Sequence, residues 1–202
     1  MKLRLISLVC LLGLVSCGSF KAQRVNSAES DEKALSITDK WVQRDTEDTI
    51  KALIQQMQNH PSYRNYVQNS KKRLKIFIAE VQNETSEPYF PIADMNDELL
   101  NEMSMAGTFT LIDNNARERL LKEIQYQNDG MVNPAQAKSI GKQLGADVLI
   151  FGSVRMQPES RGGKTIKQYS INLRMTNLET AEEVLRVRHR TSKYSEQRSA
   201  GW

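Results

Sequence analysis

Side chains able to do chemistry are few in this 202-residue chain: two histidines, two cysteines, and scattered carboxylates and guanidinium groups. His60 precedes Pro61, and His189 lies between Arg188 and Arg190. Neither has a second His, Cys or Glu at a metal-ligand spacing, so no metal site is expected. Gly163-Lys164-Thr165 has the ending of a phosphate-binding loop. Pro158 stands where that motif needs its first glycine, and no helix follows to face a phosphate. Gly141 and Gly145 precede a strand pattern instead of following one, which excludes a dinucleotide fingerprint. Asp94, Asp97 and Glu98 crowd a helix start, where they complement its dipole. Glycosidic cleavage needs two carboxylates placed across a cleft, which nothing here requires. With no nucleophile–base pair, metal set or cofactor motif, the chain is not expected to be an enzyme.

The cysteines lead elsewhere. Lys2 and Arg4 precede an apolar stretch, Leu5 to Val15, too short to span a bilayer. It ends in Leu14-Val15-Ser16-Cys17, which resembles the bacterial lipobox. The resemblance implies that a signal peptide, residues 1–16, is cut before Cys17. The Cys17 thiol then takes an S-diacylglyceryl group, and the new amine an acyl chain such as palmitate. Cys10 leaves with the leader, so no disulfide or free thiol is expected in the mature chain. Several acyl chains on one residue anchor a protein stably. Gly18 follows, not the Asp that in many enterobacterial lipoproteins signals inner-membrane retention. The expected location is therefore the outer membrane, facing the periplasm.

The formal charge of +4 is partly the leader's, which holds two of the 28 basic residues and none of the 24 acidic ones. The remainder carries +2, which gives no argument for nucleic acid. The suggestive basic feature is local: Arg174, Arg186, Arg188 and Arg190 fall on one face of an alternating hairpin pattern, with Lys193 nearby. Such a stripe docks an acidic patch of a partner or an anionic wall polymer. More often such a stripe is a solvated sheet face kept polar against aggregation.

The elements positioning that stripe follow from periodicity. Residues 17–36 are polar and read as a lipidated cysteine plus flexible tether, reaching at most roughly 65 Å. A domain follows over residues 37–195, then a tail, 196–202. Thr38 or Asp39 starts a helix to Asn59, with Trp41, Ile50, Leu53, Ile54 and Met57 on its apolar stripe. Leu74 to Val81 is a strand, Ile92 to Met105 a helix closed by Gly107, and Thr108 to Asp113 a short strand. Two helices are expected across Ala116 to Ile124 and from Pro134 to Leu144. Leu144 to Val154, rich in Val, Leu, Ile and Phe between Gly145 and Gly152, reads as a buried strand. Pro158, Gly162 and Gly163 mark a loop; Ile166 to Leu178 and Val184 to Thr191 then alternate as an antiparallel hairpin. The order α-β-α-β-α-α-β-β-β predicts an α/β (α+β) class: a single mixed-sheet domain with helices packed on it.

Leader, tether and the Leu-Gly-Ala-Asp-Val-Leu-Ile-Phe-Gly-Ser-Val strand together resemble the LpoB family, lipoprotein activators of penicillin-binding proteins. The resemblance covers about Ile37 to Tyr194. It rests on Lys75 to Asn83, Phe109 to Asp113, Gly145 to Leu149, and Asn172 to Glu182. Thr180-Ala181-Glu182 departs from it, since members often read Thr-Gly-Glu there. The resemblance implies a fold like the TolB N-terminal domain and a monomeric, lipid-anchored protein. Its partner would be a bifunctional class A penicillin-binding protein, a peptidoglycan synthase, whose activity in cell wall biogenesis it stimulates. The alternative is a CsgG-like secretion-pore lipoprotein subunit, or another envelope-assembly lipoprotein. A pore subunit must supply alternating membrane-spanning strands, and the spare segment, Arg155 to Lys164, is polar and contains Gly and Pro.

Overall fold

A computed structural model describes residues 22–79, 81–113 and 145–197. Cys17 and its leader, the two helices expected between residues 114 and 144, and the last tail residues lie outside these. The elements are α1 (Ser27–Ile37), α2 (Gln43–Asn59), α3 (Pro61–Gln68), β1 (Lys75–Ile78), β2 (Gln82–Asn83), α4 (Ile92–Ala106), β3 (Thr110–Leu111), β4 (Val148–Arg161), β5 (Lys164–Asn177) and β6 (Glu183–Glu196). The strands form one mixed sheet in the order β3-β1-β4-β5-β6, with β2 on β4. β1 pairs parallel with β3 and β4, and β2 with β4, while β4, β5 and β6 make an antiparallel meander. This is the α+β mixed sheet with packed helices that the periodicities predict.

The core lies between one face of this sheet and the helices α2 and α4. Thr46, Thr49, Ile50, Leu53, Ile54 and Met57 recur at three- and four-residue intervals on α2 and are buried. Met95, Leu99 and Met103 recur every four residues on α4 and are buried, and Gly107 ends that helix in a left-handed turn at φ 65°. They meet Ile76 and Ile78 of β1, Val148, Ile150 and Val154 of β4, Tyr169 to Met175 at alternate positions of β5, and Leu185 and Val187 of β6. Gly152 is required by space. A Cβ there would collide with the Asn172 carbonyl oxygen of β5 and lie 2.7 Å from Leu173 Cδ2.

Several expectations change. The helix expected from Thr38 or Asp39 begins at Gln43, because the Asp45 carboxylate accepts the Val42 amide (2.9 Å) and caps it there. Trp41 thus precedes the helix, its indole donating to Thr46 Oγ1 (2.8 Å) and packing on Phe90 and Tyr169. Pro61 stops that helix and starts another, α3, whose first turn His60 caps by accepting the Ser62 amide at Nδ1 (3.2 Å). Residues 27–36, read as flexible tether, belong to α1, capped by Asn26 and braced by a Glu29–Lys33 pair (2.7 Å). None of its residues is buried, as its polar composition requires.

The largest change concerns Arg155 to Arg161, read as loop: it is strand, pairing through Arg161↔Lys164. The Leu178 amide donates to the Asp147 carbonyl (3.0 Å). That fixes odd-numbered β4 residues as the ones whose backbone bonds to β5. Even-numbered ones face the other side, where β2 ends its pairing at Val154. Pro158 therefore has its missing N–H on an edge with no partner strand among the described residues, where proline costs no ladder bond. Gly162 and Gly163, both at positive φ (57° and 75°), close the hairpin in two residues.

Candidate partner-docking face

The two-residue period of β5 and β6 sorts their side chains. Odd-numbered residues face the helices; even-numbered residues, including Arg174, Arg186, Arg188 and Arg190, face away. Register sets Arg174 opposite Arg186, Asn172 opposite Arg188 and Ser170 opposite Arg190. The predicted stripe is thus one face of the meander, with Arg155 of β4 on it as well, opposite Ser170 of β5.

These cations are not equivalent. Arg174 and Arg186, a like-charged cross-strand pair, would repel. Arg186 turns instead to Glu183, bonding Oε1 from Nε (3.0 Å) and Oε2 from its terminal nitrogen (2.8 Å). This fork holds the Glu183 carboxyl below its ordinary range and raises the Arg186 guanidinium. Arg174 lies over the Phe151 ring, 5.0 Å from its centroid. Arg155 pairs with Glu84, lowering that carboxyl. Arg188 and Arg190 are exposed and, among the described residues, make no ion pair. The available positive charge is concentrated on those two.

Lys193, grouped with the stripe in sequence, lies on the opposite face. Its odd number says so, and its ammonium is buried against Asp45 (2.7 Å). It belongs to a set of polar contacts clamping the lead-in to α2 onto the inner face of the outer hairpin. Asp39 accepts from Ser195 Oγ (2.8 Å) and Lys167 Nζ (3.3 Å); Lys167 also reaches Glu87 (2.9 Å), which accepts the Tyr169 hydroxyl (2.9 Å). The Ser195 bond and the Lys167 charge hold Asp39 below the usual carboxylate range against burial. Burial, with the Glu87 carboxylate alongside, pushes the Tyr169 phenol far up. Every member of the clamp is tied to another, which suits it to bracing. It was not visible in sequence, because its members are up to 156 positions apart.

The Gly145-Ala146-Asp147 element is also a joint. Asp147 Oδ2 accepts the Lys75 amide (2.9 Å), Oδ1 accepts Lys72 Nζ (2.7 Å), its amide donates to Lys75 O (2.8 Å), and its carbonyl receives Leu178. One residue thus ties the start of β1, the start of β4 and the β5–β6 turn. His60 and His189, far apart in sequence, line one open groove of about 740 Å³ with Gln55, Gln56, Asn59 and Arg188. Among the described residues, no three His, Cys, Asp or Glu side chains converge as for a metal.

Fold and face define a class: an α+β domain that presents a long, basic sheet face. A family model described as "Peptidoglycan-synthase activator LpoB" matches residues 45–186. The chain belongs to this family of peptidoglycan-synthase activators. Of the four arginines, the match includes Arg174 and Arg186 and stops short of Arg188 and Arg190. Among solved structures, the chain is similar to the LpoB C-terminal domain from Salmonella enterica (13% identity, 73% of this chain and 98% of that one, TM-score 0.48). It is likewise similar to that from Escherichia coli (15%, 76% and 99%, 0.47) and to lipoprotein GNA1162 from Neisseria meningitidis (16%, 63% and 88%, 0.43). No curated protein matches the sequence.

Proposed function

We propose that this chain is a lipid-anchored activator of a bifunctional class A penicillin-binding protein, held by Cys17 in the outer membrane and acting as a monomer in the periplasm. The observation that carries the reading is the family match across residues 45–186. The chain would do no chemistry itself; it would bind the synthase and raise its rates of glycan polymerisation and crosslinking. The outer sheet face of Arg174, Arg186, Arg188 and Arg190 is the proposed docking surface. In support, Arg188 and Arg190 pair with no carboxylate among the described residues, which leaves their charge for an acidic partner.

The test is glycan-chain formation followed in time with purified chain and a class A synthase. The chain should accelerate polymerisation, and Arg188→Glu/Arg190→Glu should need at least about tenfold more protein for the same effect, given ~1.4 kcal/mol per decade. No acceleration, or equal potency of the double variant, refutes the activation or the docking face respectively. Labelled palmitate incorporation, lost in Cys17→Ala, with membrane fractionation on a density gradient, tests the anchor and its location.

A further inference from the structure

β6 is the last strand of the sheet, and among the described residues its outward edge has no partner strand. Which of its backbone groups lie on that edge can be fixed. The Gln197 amide donates to the Gly163 carbonyl (2.8 Å), and the β5–β6 register runs unbroken from Lys164↔Glu196 to Met175↔Leu185. Odd-numbered β6 residues therefore bond to β5, and the N–H and C=O of Arg186, Arg188, Arg190, Ser192 and Tyr194 point outward. Among the described residues none of these groups has a hydrogen-bond partner. The same residues carry the exposed side chains on the outer face. Inward of the edge runs the groove lined by Gln55, Gln56, Asn59, His60 and His189.

We infer that the β6 edge is a strand-addition site for an extended acidic segment of another protein. Such a segment would carry carboxylates at every second residue and short polar side chains between them. Backbone pairing along Arg186 to Tyr194 supplies the bonds. Carboxylates two residues apart on one face would lie opposite Arg188 and Arg190, and the intervening side chains would enter the polar groove. Charge decides against a second copy of this chain. Antiparallel pairing over the full strand would set Arg190 against its own copy or against Arg188, and directly opposed like charges are destabilising. This inference shares Arg186, Arg188 and Arg190 with the docking face proposed above, and rests on that reading for nothing else. The experiment uses no synthase, so the two can fail separately.

The probe is a blocked peptide, Thr-Glu-Thr-Glu-Thr-Glu-Thr, added to the purified chain, with amide hydrogen exchange read residue by residue. The amides of Arg188, Arg190 and Ser192 should exchange fast in the free protein. At saturation they should slow at least about tenfold, while the odd-numbered amides, already paired, change little. Two further peptides of identical charge are N-methylated on the glutamates or on the residues between them. Antiparallel addition loses binding with the first, and parallel addition with the second. Equal binding of both forms overturns the inference, since it shows adsorption by charge alone. No slowing of the even-numbered amides overturns it too, as does concentration-dependent slowing without peptide, which would put a second copy on the edge.

Discussion

Asp147 offers the sharpest test of how this sheet is held together. Its Oδ2 accepts the Lys75 amide at 2.9 Å where β1 begins, immediately before the parallel pairing Ile76↔Val148. No other described group accepts that N–H, so Asp147→Ala leaves it to a site where the Asp side chain is only 20% exposed. A bond to a charged acceptor contributes about 1.5–3 kcal/mol, so the alanine variant should lose about 2 kcal/mol. That corresponds to about 4–8 °C in a domain of this size. The Lys72 contact is largely exposed and screened, and adds little. Asp147→Asn keeps an amide oxygen for Lys75 and gives up the charge, so its loss should be about half as large. The pH dependence gives the sign. Burial raises the Asp147 carboxyl, but the Lys72 and Lys75 bonds outweigh it and hold the folded value below the ordinary one. Its contribution is therefore complete above the unfolded pKa of about 3.9 and disappears as pH falls through the folded value. Urea unfolding of wild type, Asn and Ala variants at neutral pH and near pH 3 measures this. The wild-type advantage over Asn should shrink in acid. If Asn costs as much as Ala at neutral pH, or if that advantage is unchanged in acid, the joint is not carried by the carboxylate.

Two glycine exchanges test the turns and the close approach. Gly152→Ala places a Cβ into the Asn172 carbonyl of β5. It should cost at least about 3 kcal/mol, the upper range for overpacking, because backbone cannot step aside as a side chain does; chemical unfolding reads it directly. Ala181 is the described non-glycine residue at positive φ (61°), in the β5–β6 turn where the family resemblance expects glycine. A left-handed L-residue costs about 1–2 kcal/mol and glycine's extra chain entropy returns about 0.5–1, so Ala181→Gly should stabilise by about 0.5–1 kcal/mol. A thermal midpoint that falls instead contradicts the conformation of that turn.

The parts legible in sequence were those whose signal is local. The four-residue spacing of Met95, Leu99 and Met103 with Gly107 behind it gave α4 almost to the residue. Two-residue alternation gave β5, β6 and the single face of the four arginines. Lys193 needed the same rule applied once more: being odd, it belongs with Leu185 and Val187 inside. The outer half of β4 was hidden because Arg155 to Arg161 is polar on both faces and contains proline, which composition assigns to a loop. It is strand because β5 pairs with it along its length and the proline N points to the side where no described strand pairs. The clamp of Asp39, Asp45 and Glu87 on Lys167, Tyr169, Lys193 and Ser195 joins segments remote in the chain, and nothing short of the fold brings those residues together.

The meander therefore has two kinds of support on its inner face. Near β1 it is held by apolar burial, through Ile171, Leu173, Met175, Leu185 and Val187. Toward the Gly162-Gly163 turn, ion pairs and hydrogen bonds from the α2 lead-in take over, with Tyr169, its ring neighbours and Met156 as the apolar brace among the described residues. The outer face of β5 and β6 contributes little to either, since its charges are paired locally or left free. Substitutions at Arg188 and Arg190 can therefore change what the domain binds while leaving its fold intact, whereas substitutions at Lys167 or Lys193 act on the fold first. A variant that loses partner binding through the outer face alone must keep its unfolding free energy, and this separates docking from folding on one strand whose neighbouring residues point opposite ways.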